Sequence, residues 1–197
     1  MFFKTEICKQ LSDRELIQKS LEDVNYFACL VLNYEQKLLN YIRKISQSTP
    51  EEAEDILQDS FIKIWKNLRS FDKNLKLENW IFRIVHNEAI SFYRQKSSFG
   101  KDKTIEISDE LLELKEKSEI STEEPDLQTL IDNTLPLLKI EHRDVLVLKY
   151  IENKSYEEIS DILKIPENTV ASRLSRAKQA FKTLAENTFD LSILNKI

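Results

Sequence analysis

The sequence predicts an all-α protein with two small helical domains joined by an acidic linker, the C-terminal domain being a helix-turn-helix. Three observations support this fold class: glycine is scarce, helix-start signatures recur, and apolar residues repeat at helical spacing. Glycine occurs once in 197 residues, as Gly100, and proline four times. Because hairpins and phosphate-cradling loops depend on glycine, its scarcity argues against β-hairpins and against a glycine-rich nucleotide loop.

Helix starts are marked by capping boxes, in which Ser or Thr is followed three residues later by Glu. In each box the hydroxyl and the carboxylate satisfy backbone N–H groups that the first helical turn leaves free. Proline at the first helical position is a further start signal. The sequence contains three such boxes, and the second has Pro50 at that position: Ser12–Glu15, Thr49–Glu52 and Ser155–Glu158.

Composition divides the chain into three parts. Residues 1–96 form a predicted N-terminal helical domain, residues 97–125 a flexible linker, and residues 126–197 the C-terminal domain with its tail. The linker holds the only glycine and many Ser and Thr residues, with room for a short helix around 109–117. Residues 101–134 carry four basic and eleven acidic side chains, whereas the whole chain has a net charge of −5. The flanking domains are therefore nearly neutral and can present local basic faces to a polyanion.

The segment 155–184 has the pattern of a helix-turn-helix. A short amphipathic helix breaks at Ile165–Pro166, and a second helix follows. The second helix has one apolar stripe, formed by Val170, Leu174, Ala177, Phe181 and Leu184. Its opposite face is polar and basic, which suits a major groove where Arg reads base edges and Lys reaches phosphates. The alternative is an ordinary surface helix in a helical bundle.

The helix predicted from Pro50 to about Arg69 has an apolar and an acidic face. The core stripe comprises Ala53, Leu57, Phe61, Ile64 and Leu68. Acidic residues recur every fourth position at Glu51, Asp55 and Asp59, with Gln58 beside them. Like charges at this spacing repel by a few tenths of a kcal/mol, so the ridge invites a basic partner. The helix dipole accounts for Glu51 but not for the two aspartates beyond the first turn.

The segment 79–96 is basic and rich in aromatic residues. The predicted buried face comprises Ile81, Ile84, Val85, Ala89 and Phe92, and the opposite face comprises Arg83, His86, Asn87, Ser91 and Arg94. Trp80, Phe82 and Tyr93 are interleaved with these residues. Basic groups beside exposed rings suit unstacked bases, since ring–base stacking contributes ~1–3 kcal/mol per base. The alternative is that most of these rings, Trp80 and Phe92 above all, belong to the core.

Together these segments resemble the extracytoplasmic-function group of bacterial RNA polymerase sigma factors. The stretch AEDILQDSFIKIW at 53–65 is similar to their polymerase-binding helix, and ENWIFRIVHNEAISFYR at 78–94 to their −10 helix. The stretch RDVLVLKYIENKSYEEISDILKIPENTVASRLSRAK at 143–178 is similar to their −35-binding domain. The resemblance implies a promoter-specificity subunit whose partners are core RNA polymerase and promoter DNA, with an anti-sigma factor as a further partner that the family allows.

The resemblance also implies roles for individual residues. The acidic ridge would dock on the clamp helices of the polymerase largest subunit through Asp55, Gln58 and Asp59. The loop at 71–79 would capture a flipped base and the following helix would hold the parting strand, through Asn74, Asn79, Arg83, His86, Asn87 and Arg94. The second domain would read the −35 element through Asn168, Thr169, Ser172, Arg173, Ser175, Arg176 and Lys178. The acidic linker would thread polymerase channels that later hold nucleic acid.

Three positions depart from the family pattern. Lys164 stands where glycine commonly ends the first helix of the motif, and a left-handed conformation there would cost about 1–2 kcal/mol. Ala171 stands where a basic residue is frequent, which removes one potential DNA contact. Ser91 stands where aspartate is frequent, so no side-chain role is carried over to it.

Cysteine, histidine and hydropathy bear on the remaining functional classes. Two cysteines, Cys8 and Cys29, and two histidines, His86 and His142, are too few and too scattered for a metal site. We expect both thiols to be reduced, no cofactor and no small-molecule substrate. Without an 18-residue apolar stretch or a signal-peptide pattern, a cytoplasmic protein with no membrane insertion is expected.

Three other functions compete with this interpretation. A helix-turn-helix repressor or activator would bind its operator as a dimer without polymerase. An enzyme with paired carboxylates, such as Glu54 and Asp55, would need a nucleophile, a metal cluster or a phosphate loop that the sequence lacks. A helical adaptor would use the acidic face to bind a basic protein. The ridge at 55–59 and the segment 78–94 argue against the first alternative.

Overall fold

A computed structural model describes residue 8 and residues 11–72, 74–99 and 127–188, and every element within these ranges is helical. In the first domain, short 3-10 turns at Val24–Tyr26 and Leu68–Ser70 accompany four helices: α1 Asp13–Glu22, α2 Phe27–Ser46, α3 Pro50–Asn67 and α4 Leu77–Phe99. In the second, a 3-10 turn at Leu135–Leu137 and a π-turn at Val147–Ile151 accompany α5 Leu127–Thr134, α6 Ile140–Leu146, α7 Tyr156–Leu163 and α8 Glu167–Thr188. The predicted all-α fold is confirmed.

All three capping boxes form as predicted. At α1, the Ser12 N–H donates to the Glu15 carboxylate at 2.9 Å. At α3, the Glu52 N–H donates to Thr49 Oγ1 at 3.2 Å, and the Thr49 N–H donates back to the Glu52 carboxylate at 2.7 Å. The same reciprocal pair starts α7 between Ser155 and Glu158. In each box, two side chains take the place of water as hydrogen-bond acceptors for two backbone N–H groups that have no partner within the helix. The local sequence therefore fixes these helix starts.

The apolar stripes predicted for α3 and α4 face the core. All five residues of the predicted α3 stripe are buried, the last of them, Leu68, in the 3-10 turn that follows α3. In α4, Ile81, Val85 and Ala89 are buried while Ile84 and Phe92 are half-buried. α4 continues to Phe99, three residues beyond the predicted domain boundary at 96. Neither proline nor glycine interrupts residues 97–99, so no backbone constraint ends the helix earlier. The short helix predicted around 109–117 lies outside the described residues.

The turn of the helix-turn-helix has the left-handed residue that the sequence suggested. Lys164 caps α7 at φ 54° and ψ 47°, where a side chain is disfavoured. Its Nζ bonds to Asp161 Oδ1 at 2.9 Å, and the Ser160 hydroxyl donates to the Ile165 carbonyl at 2.6 Å. These contacts hold the turn that sets the angle between α7 and α8.

The expectation of two reduced thiols is wrong in this structure, because Cys8 and Cys29 form a disulfide. Both residues are buried, at 1% and 0% exposure, and 21 positions separate them in the sequence. The sequence argument used only the number of cysteines and the expected compartment. Neither reveals that the buried start of α2 lies beside Cys8.

The two domains pack against each other. Their buried apolar residues form one continuous cluster, and α4 of the first domain lies along α7 of the second. The fully buried Arg143 of α6 joins them, since its Nη1 donates to the Ile45 carbonyl of α2 at 2.9 Å. The same guanidinium donates to carbonyls of its own domain at Leu135, Pro136 and Leu138. The sequence did not predict whether the two domains contact each other. In the structure they do, and we call this arrangement closed.

Candidate nucleic-acid and protein interfaces

The acidic ridge of α3 is a free surface. Asp55, Gln58 and Asp59 are all exposed on the side of α3 opposite its buried stripe. Glu52, one turn earlier, differs because Lys96 of α4 binds its carboxylate at 2.8 Å. That hydrogen bond and the Thr49 N–H keep the pKa of Glu52 below its ordinary value. Glu51, the first acidic residue of the predicted ridge, is exposed like Asp55 and Asp59.

Two large apolar side chains extend the ridge toward the end of α3, and sequence reasoning did not include them. Ile62 is 51% exposed and Trp65 is 38% exposed. The Trp65 ring packs edge-on against Phe27 of α2 at 5.1 Å, which fixes its position. Both residues follow Gln58 at helical spacing, four and seven positions on. The sequence offered one signal for these two residues: each is apolar at a position where the polar face of the helix was expected.

The two predicted base-capture asparagines lie in different elements: Asn74 is in the loop before α4, and Asn79 is in the first turn of α4. Exposed Asn74 donates its backbone N–H and its side-chain Nδ2 to Asp72 Oδ1, at 2.9 and 3.0 Å. Asn79 is 4% exposed, and its Oδ1 has no hydrogen-bond partner among the described residues. At the two ends of the segment 71–80, Phe71 packs on Trp80 with the ring centroids 5.0 Å apart. The two predicted base-capture residues thus have different environments, one open and one enclosed.

The predicted polar face of α4 is not uniform, and this corrects the sequence analysis. Asn87 and Arg94 are exposed, but Arg83 and His86 are covered by the second domain. Arg83 Nη2 binds Asp161 Oδ1 of α7 at 3.2 Å. His86 Nδ1 lies 3.0 Å from the Tyr41 hydroxyl, and its Nε2 lies 3.8 Å from Asp144 Oδ2 of α6. Helical periodicity defines a face but not what covers it, so the sequence did not separate these residues.

Burial shifts the protonation of the His86–Asp144 pair. Desolvation, with a smaller contribution from Arg94, lowers the pKa of His86 to about 4. Desolvation raises the pKa of Asp144 to about 7, although nearby Arg143 and Arg173 oppose the rise. At neutral pH His86 is uncharged, so the 3.8 Å contact is not a salt bridge there. The pair makes this part of the domain interface sensitive to pH.

The aromatic side chains of the segment 79–96 are less available for stacking than the sequence suggested. Phe82 is fully buried, 5.1 Å from the Tyr41 ring, with Lys154 Nζ 4.8 Å above it. Trp80 and Phe92 are half-buried against the core. Tyr93 is also half-buried and lies 5.6 Å from the Arg143 guanidinium. The core interpretation holds outright for Phe82.

The helix α8 has the two faces that were predicted. Its stripe residues Val170, Leu174 and Ala177 are buried, and Phe181 and Leu184 are half-buried. On the opposite side, two predicted contact residues, Thr169 and Arg173, are half-buried, and five are exposed: Asn168, Ser172, Ser175, Arg176 and Lys178.

The basic side chains of α8 differ in how they are held. Arg176 Nε donates to the Ser172 carbonyl at 3.3 Å, and Lys178 Nζ lies 5.3 Å above the Tyr150 ring. Desolvation and then Arg176 lower the pKa of His142 on α6, with a smaller contribution from Arg173. Arg173 also lies near Asp144, where its charge opposes the rise in the pKa of that carboxyl. Arg176 is exposed, whereas Arg173 is half-buried beside α6.

Among residues 8, 11–72, 74–99 and 127–188, no group of three His, Cys, Asp or Glu side chains is arranged to hold a metal ion. Across the same described ranges, no helix is both long and apolar enough to span a bilayer.

Comparisons with known proteins match this geometry. Residues 30–99 match the family description "Sigma-70 region 2", and residues 128–181 match "Sigma-70, region 4". The ECF RNA polymerase sigma factor SigW of Bacillus subtilis (strain 168) is 32% identical over 170 residues, covering 81% of this chain and 89% of SigW.

Two solved structures have a similar fold. The sigma factor RpoE in complex with the anti-sigma factor NepR, from Bartonella quintana, is 26% identical with a TM-score of 0.59, covering 81% of this chain and 96% of that one. CnrH in complex with the cytosolic domain of CnrY is 24% identical with a TM-score of 0.65, covering 88% and 97%. The latter likeness is one of fold.

Proposed function

Because this chain belongs to the extracytoplasmic-function group of RNA polymerase sigma factors, we propose which of its residues carry out each step of promoter recognition. A protein of this group joins core RNA polymerase, recognises promoters and initiates transcription. The proposal divides these tasks among the ridge of α3, the loop 71–79 with α4, and the outer face of α8. The single observation that carries it is the exposed polar face of α8 opposite a buried stripe.

In this proposal, the ridge of α3 binds a basic surface of core polymerase. Three exposed polar side chains, Asp55, Gln58 and Asp59, supply hydrogen-bond acceptors and charge, and the apolar Ile62 and Trp65 supply buried area. Interfaces commonly pair an apolar centre with a polar rim. The arrangement suits a partner with Arg or Lys beside an apolar patch.

Charge reversal tests the docking step. Replacing Asp55→Lys together with Asp59→Lys should lower the affinity for core polymerase at least ~100-fold, because two attractive contacts become repulsive. The fold should persist, since both side chains are exposed. The matched control is Glu22→Lys with Glu35→Lys, which reverses two exposed charges on α1 and α2. Equal affinity of both variants for core in a pull-down titration would contradict the assignment.

In this proposal, promoter opening uses the loop 71–79 and α4. Arg83 and Arg94 contact phosphates, Asn87 contacts a base, and Asn74 with Asn79 borders the pocket for a flipped base. His86, being buried beside Tyr41, takes part only when the domains separate. Exposure of Asn87 and Arg94 on one side of α4 supports this arrangement.

In this proposal, α8 enters the major groove of the −35 element. Arg176 reads a guanine, and Ser172 and Ser175 contact neighbouring bases. Phosphates are contacted by Lys178 and Arg173. A bidentate Arg–guanine pair contributes ~1–3 kcal/mol of discrimination, whereas phosphate contacts add affinity without sequence preference. Asn168 and Thr169, at the helix start, lie where backbone and phosphate contacts are usual.

The protein itself performs no catalysis in this proposal, since polymerase supplies the chemistry, and it acts in the cytoplasm where its template lies. Because the similar RpoE was solved with an anti-sigma factor, we extend that class of partner to this chain. Run-off transcription with purified core tests the function as a whole. The expected result is specific transcripts that require both core and this protein; operator binding without polymerase would favour a repressor instead.

A further inference from the structure

The disulfide between Cys8 and Cys29 takes no part in the three surfaces assigned above. The chain has two cysteines, so neither thiol has an alternative partner within the molecule. Disulfides persist in oxidising compartments, whereas those that form in the cytoplasm are mostly transient and redox-sensing, because the thiol pool there reduces them. In a protein that acts on transcription in the cytoplasm, we therefore expect this bond to open and close.

The bond closes a loop that contains α1 and the start of α2. Twenty-one positions separate the two cysteines, and both α1 and the 3-10 turn Val24–Tyr26 lie between them. Cys29 stands at the third position of α2, where the three capping boxes carry Glu. A covalent bond thus stands where those helix starts have a local hydrogen bond, and it restricts the conformations open to the whole loop.

The loop that the disulfide closes packs against the end of α3, the helix that carries the acidic ridge. Phe27, two positions before Cys29, lies edge-on to Trp65 and to Phe61, with ring centroids 5.1 and 6.3 Å apart. From another part of the loop, α1 contacts the 3-10 turn Leu68–Ser70 that follows α3. The exposed Trp65 is therefore supported by a segment whose conformational freedom depends on the disulfide.

Burial links the redox state of the two sulfurs to the packing of this loop. Cys8 is 1% exposed and Cys29 is 0% exposed, so a reagent cannot reach either sulfur while both are packed. Reduction therefore requires Cys8 to move away from α2, and reoxidation requires it to return. Because the two equilibria are linked, whatever stabilises the packed loop also favours the disulfide, and the disulfide favours the packed loop.

From this placement we propose that Cys8 and Cys29 are a thiol–disulfide switch that responds to low-molecular-weight disulfides and sets the affinity for core polymerase. Cys29 attacks the small disulfide first, since the positive end of a helix favours a thiolate, and half of the reagent leaves as a thiolate. The Cys8 thiolate then attacks the Cys29 sulfur and expels the other half. Two protein thiols lose two electrons, one small disulfide becomes two thiols, and the two thiol protons pass to these products.

The oxidised form is the one that binds core polymerase more tightly. This inference rests on the proposed docking of the ridge of α3 and its apolar extension, Ile62 and Trp65. With the bond closed, Phe27 holds the Trp65 ring in place. With the bond open, α1 and the start of α2 are less restricted, so Trp65 loses part of its support. The chain therefore directs more transcription when the thiol pool is oxidised.

The chemistry is tested on the full chain in buffers with different ratios of oxidised to reduced glutathione. Intact mass after maleimide trapping distinguishes the dithiol, a mixed disulfide and the internal disulfide. Without denaturant, excess reduced glutathione should give the dithiol, and excess oxidised glutathione should give the internal disulfide. A bond that survives excess reduced glutathione overturns the inference. So does a chain that ends as the dithiol or as mixed disulfides in excess oxidised glutathione.

The fluorescence of Trp65 tests the coupling to the ridge without polymerase. The chain has two tryptophans, so Trp80→Phe leaves Trp65 as the only one. Reduction should shift its emission to longer wavelength and increase its quenching by acrylamide. The control is Cys8→Ala in the same background, which should give the reduced spectrum in both buffers. Identical emission and quenching of Trp65 in the oxidised and reduced chain would refute the coupling.

Affinity for core polymerase gives the functional readout. The oxidised wild type should bind core roughly tenfold more tightly than the reduced wild type, a common size for coupling between two sites. Cys8→Ala should bind like the reduced wild type in both buffers, and circular dichroism checks that its helix content is unchanged. Equal affinity of the two wild-type states would overturn the inference. An equally large redox effect in Cys8→Ala would also overturn it, because the responding thiols would then lie on core.

The charge-reversed ridge separates failure of the switch from failure of the proposed docking. Asp55→Lys with Asp59→Lys keeps both cysteines, so its disulfide should form and open as in the wild type while core binding is lost. If the wild type binds core equally in both redox states and the reversed variant does not bind, the switch is refuted and the docking assignment stands. If the reversed variant keeps both core binding and its redox dependence, the disulfide acts on another surface, and both proposals are wrong.

Discussion

At the scale of single residues, Arg176 is the sharpest prediction for base readout. Its neighbours Leu174 and Ala177 are fixed in the core, so its side chain leaves α8 on the solvent side. We expect Arg176→Ala to flatten the preference at one or two −35 positions, a loss of about 1–3 kcal/mol in discrimination. Arg173→Ala should lower activity while the preference is retained. Transcription of a −35 substitution library with each variant checks both; an unchanged profile for Arg176→Ala would refute base readout there.

Asp144 gives a prediction for pH dependence. Its pKa is raised to about 7, so the stability that its protonated form contributes is lost as pH rises through about 7. His86, with a pKa lowered to about 4, contributes stability that is lost as pH falls through about 4. The groups facing the pair are Arg94, Glu141, Arg143 and Arg173.

Between about pH 4 and 7, Asp144 therefore loses its contribution to the free energy of unfolding as pH rises, while His86 gains its own, so the two largely offset each other in the wild type. Asp144→Asn keeps only the His86 titration, so its unfolding temperature should rise with pH over this interval while that of the wild type stays nearly level. Thermal unfolding followed at several pH values provides the measurement, with Glu54→Gln as an exposed control on α3. The same pH dependence in wild type and Asp144→Asn would show that Asp144 does not titrate in this interval.

The exposure of single side chains was predicted correctly from sequence where the periodicity of one helix determines it. On α8, a stripe and an opposite polar face follow from 3.6-residue periodicity, and Arg176 is exposed as expected. On α4, periodicity put Arg83 and His86 beside Asn87, but the second domain covers the first two. That contact joins residues 78 positions apart for Arg83 and Asp161, and no local pattern encodes it.

At the scale of structural elements, two asparagines that the sequence treated alike lie apart, Asn74 in the loop before α4 and Asn79 in the first turn of α4. Asn74 is exposed in a turn closed on Asp72, and Asn79 is buried with an unpaired Oδ1 among the described residues. We expect alanine at both positions to slow open-complex formation about 10-fold while closed-complex formation changes little. This follows because a flipped base needs polar partners only after melting.

Stopped-flow fluorescence with a labelled promoter separates the two steps. The control is Asn67→Ala, an exposed asparagine at the end of α3 whose side chain bonds only to the Lys63 carbonyl among the hydrogen bonds described. Equal slowing of both steps would put the loop away from the melted base.

Helix starts were the elements that sequence predicted best. Each of the three boxes is a contact between residues three positions apart, so the chain needs no tertiary partner to form it. The end of α4 was predicted less well, because serines at 97 and 98 neither stop a helix nor require one. The disulfide between Cys8 and Cys29 was missed because it depends on the position of Cys8 relative to α2, which no local pattern encodes.

At the scale of the whole molecule, the net charge gave a poor indication of which surfaces are basic, whereas the placement of charges along the sequence gave a good one. The chain is acidic overall, at −5, yet its outward α8 face carries Arg176 and Lys178. The same uneven placement puts acidic side chains on α7, and these meet the basic start of α4. Sequence could not predict this pairing, because the chain offers many other basic partners and the linker permits many arrangements.

Arg143 connects this closed arrangement to cooperative unfolding. Its guanidinium is fully buried and donates to four carbonyls, three in its own domain and one, at Ile45, in the first domain. Removing it leaves those acceptors unsatisfied, and each buried unsatisfied group costs about 1–3 kcal/mol. Arg143→Met keeps the aliphatic volume and loses all four bonds. We therefore expect the domains to unfold separately in this variant and together in the wild type.

Differential scanning calorimetry distinguishes these cases. The wild type should give one transition whose calorimetric and van't Hoff enthalpies agree, the mark of two-state unfolding. Arg143→Met should give two transitions, with the second domain unfolding several degrees lower because it loses three of the four bonds. Arg43→Met, on the exposed side of α2, should behave like the wild type. A single lowered transition in Arg143→Met would mean that Arg143 stabilises its own domain while other contacts, such as Lys154–Glu78, suffice to couple the two.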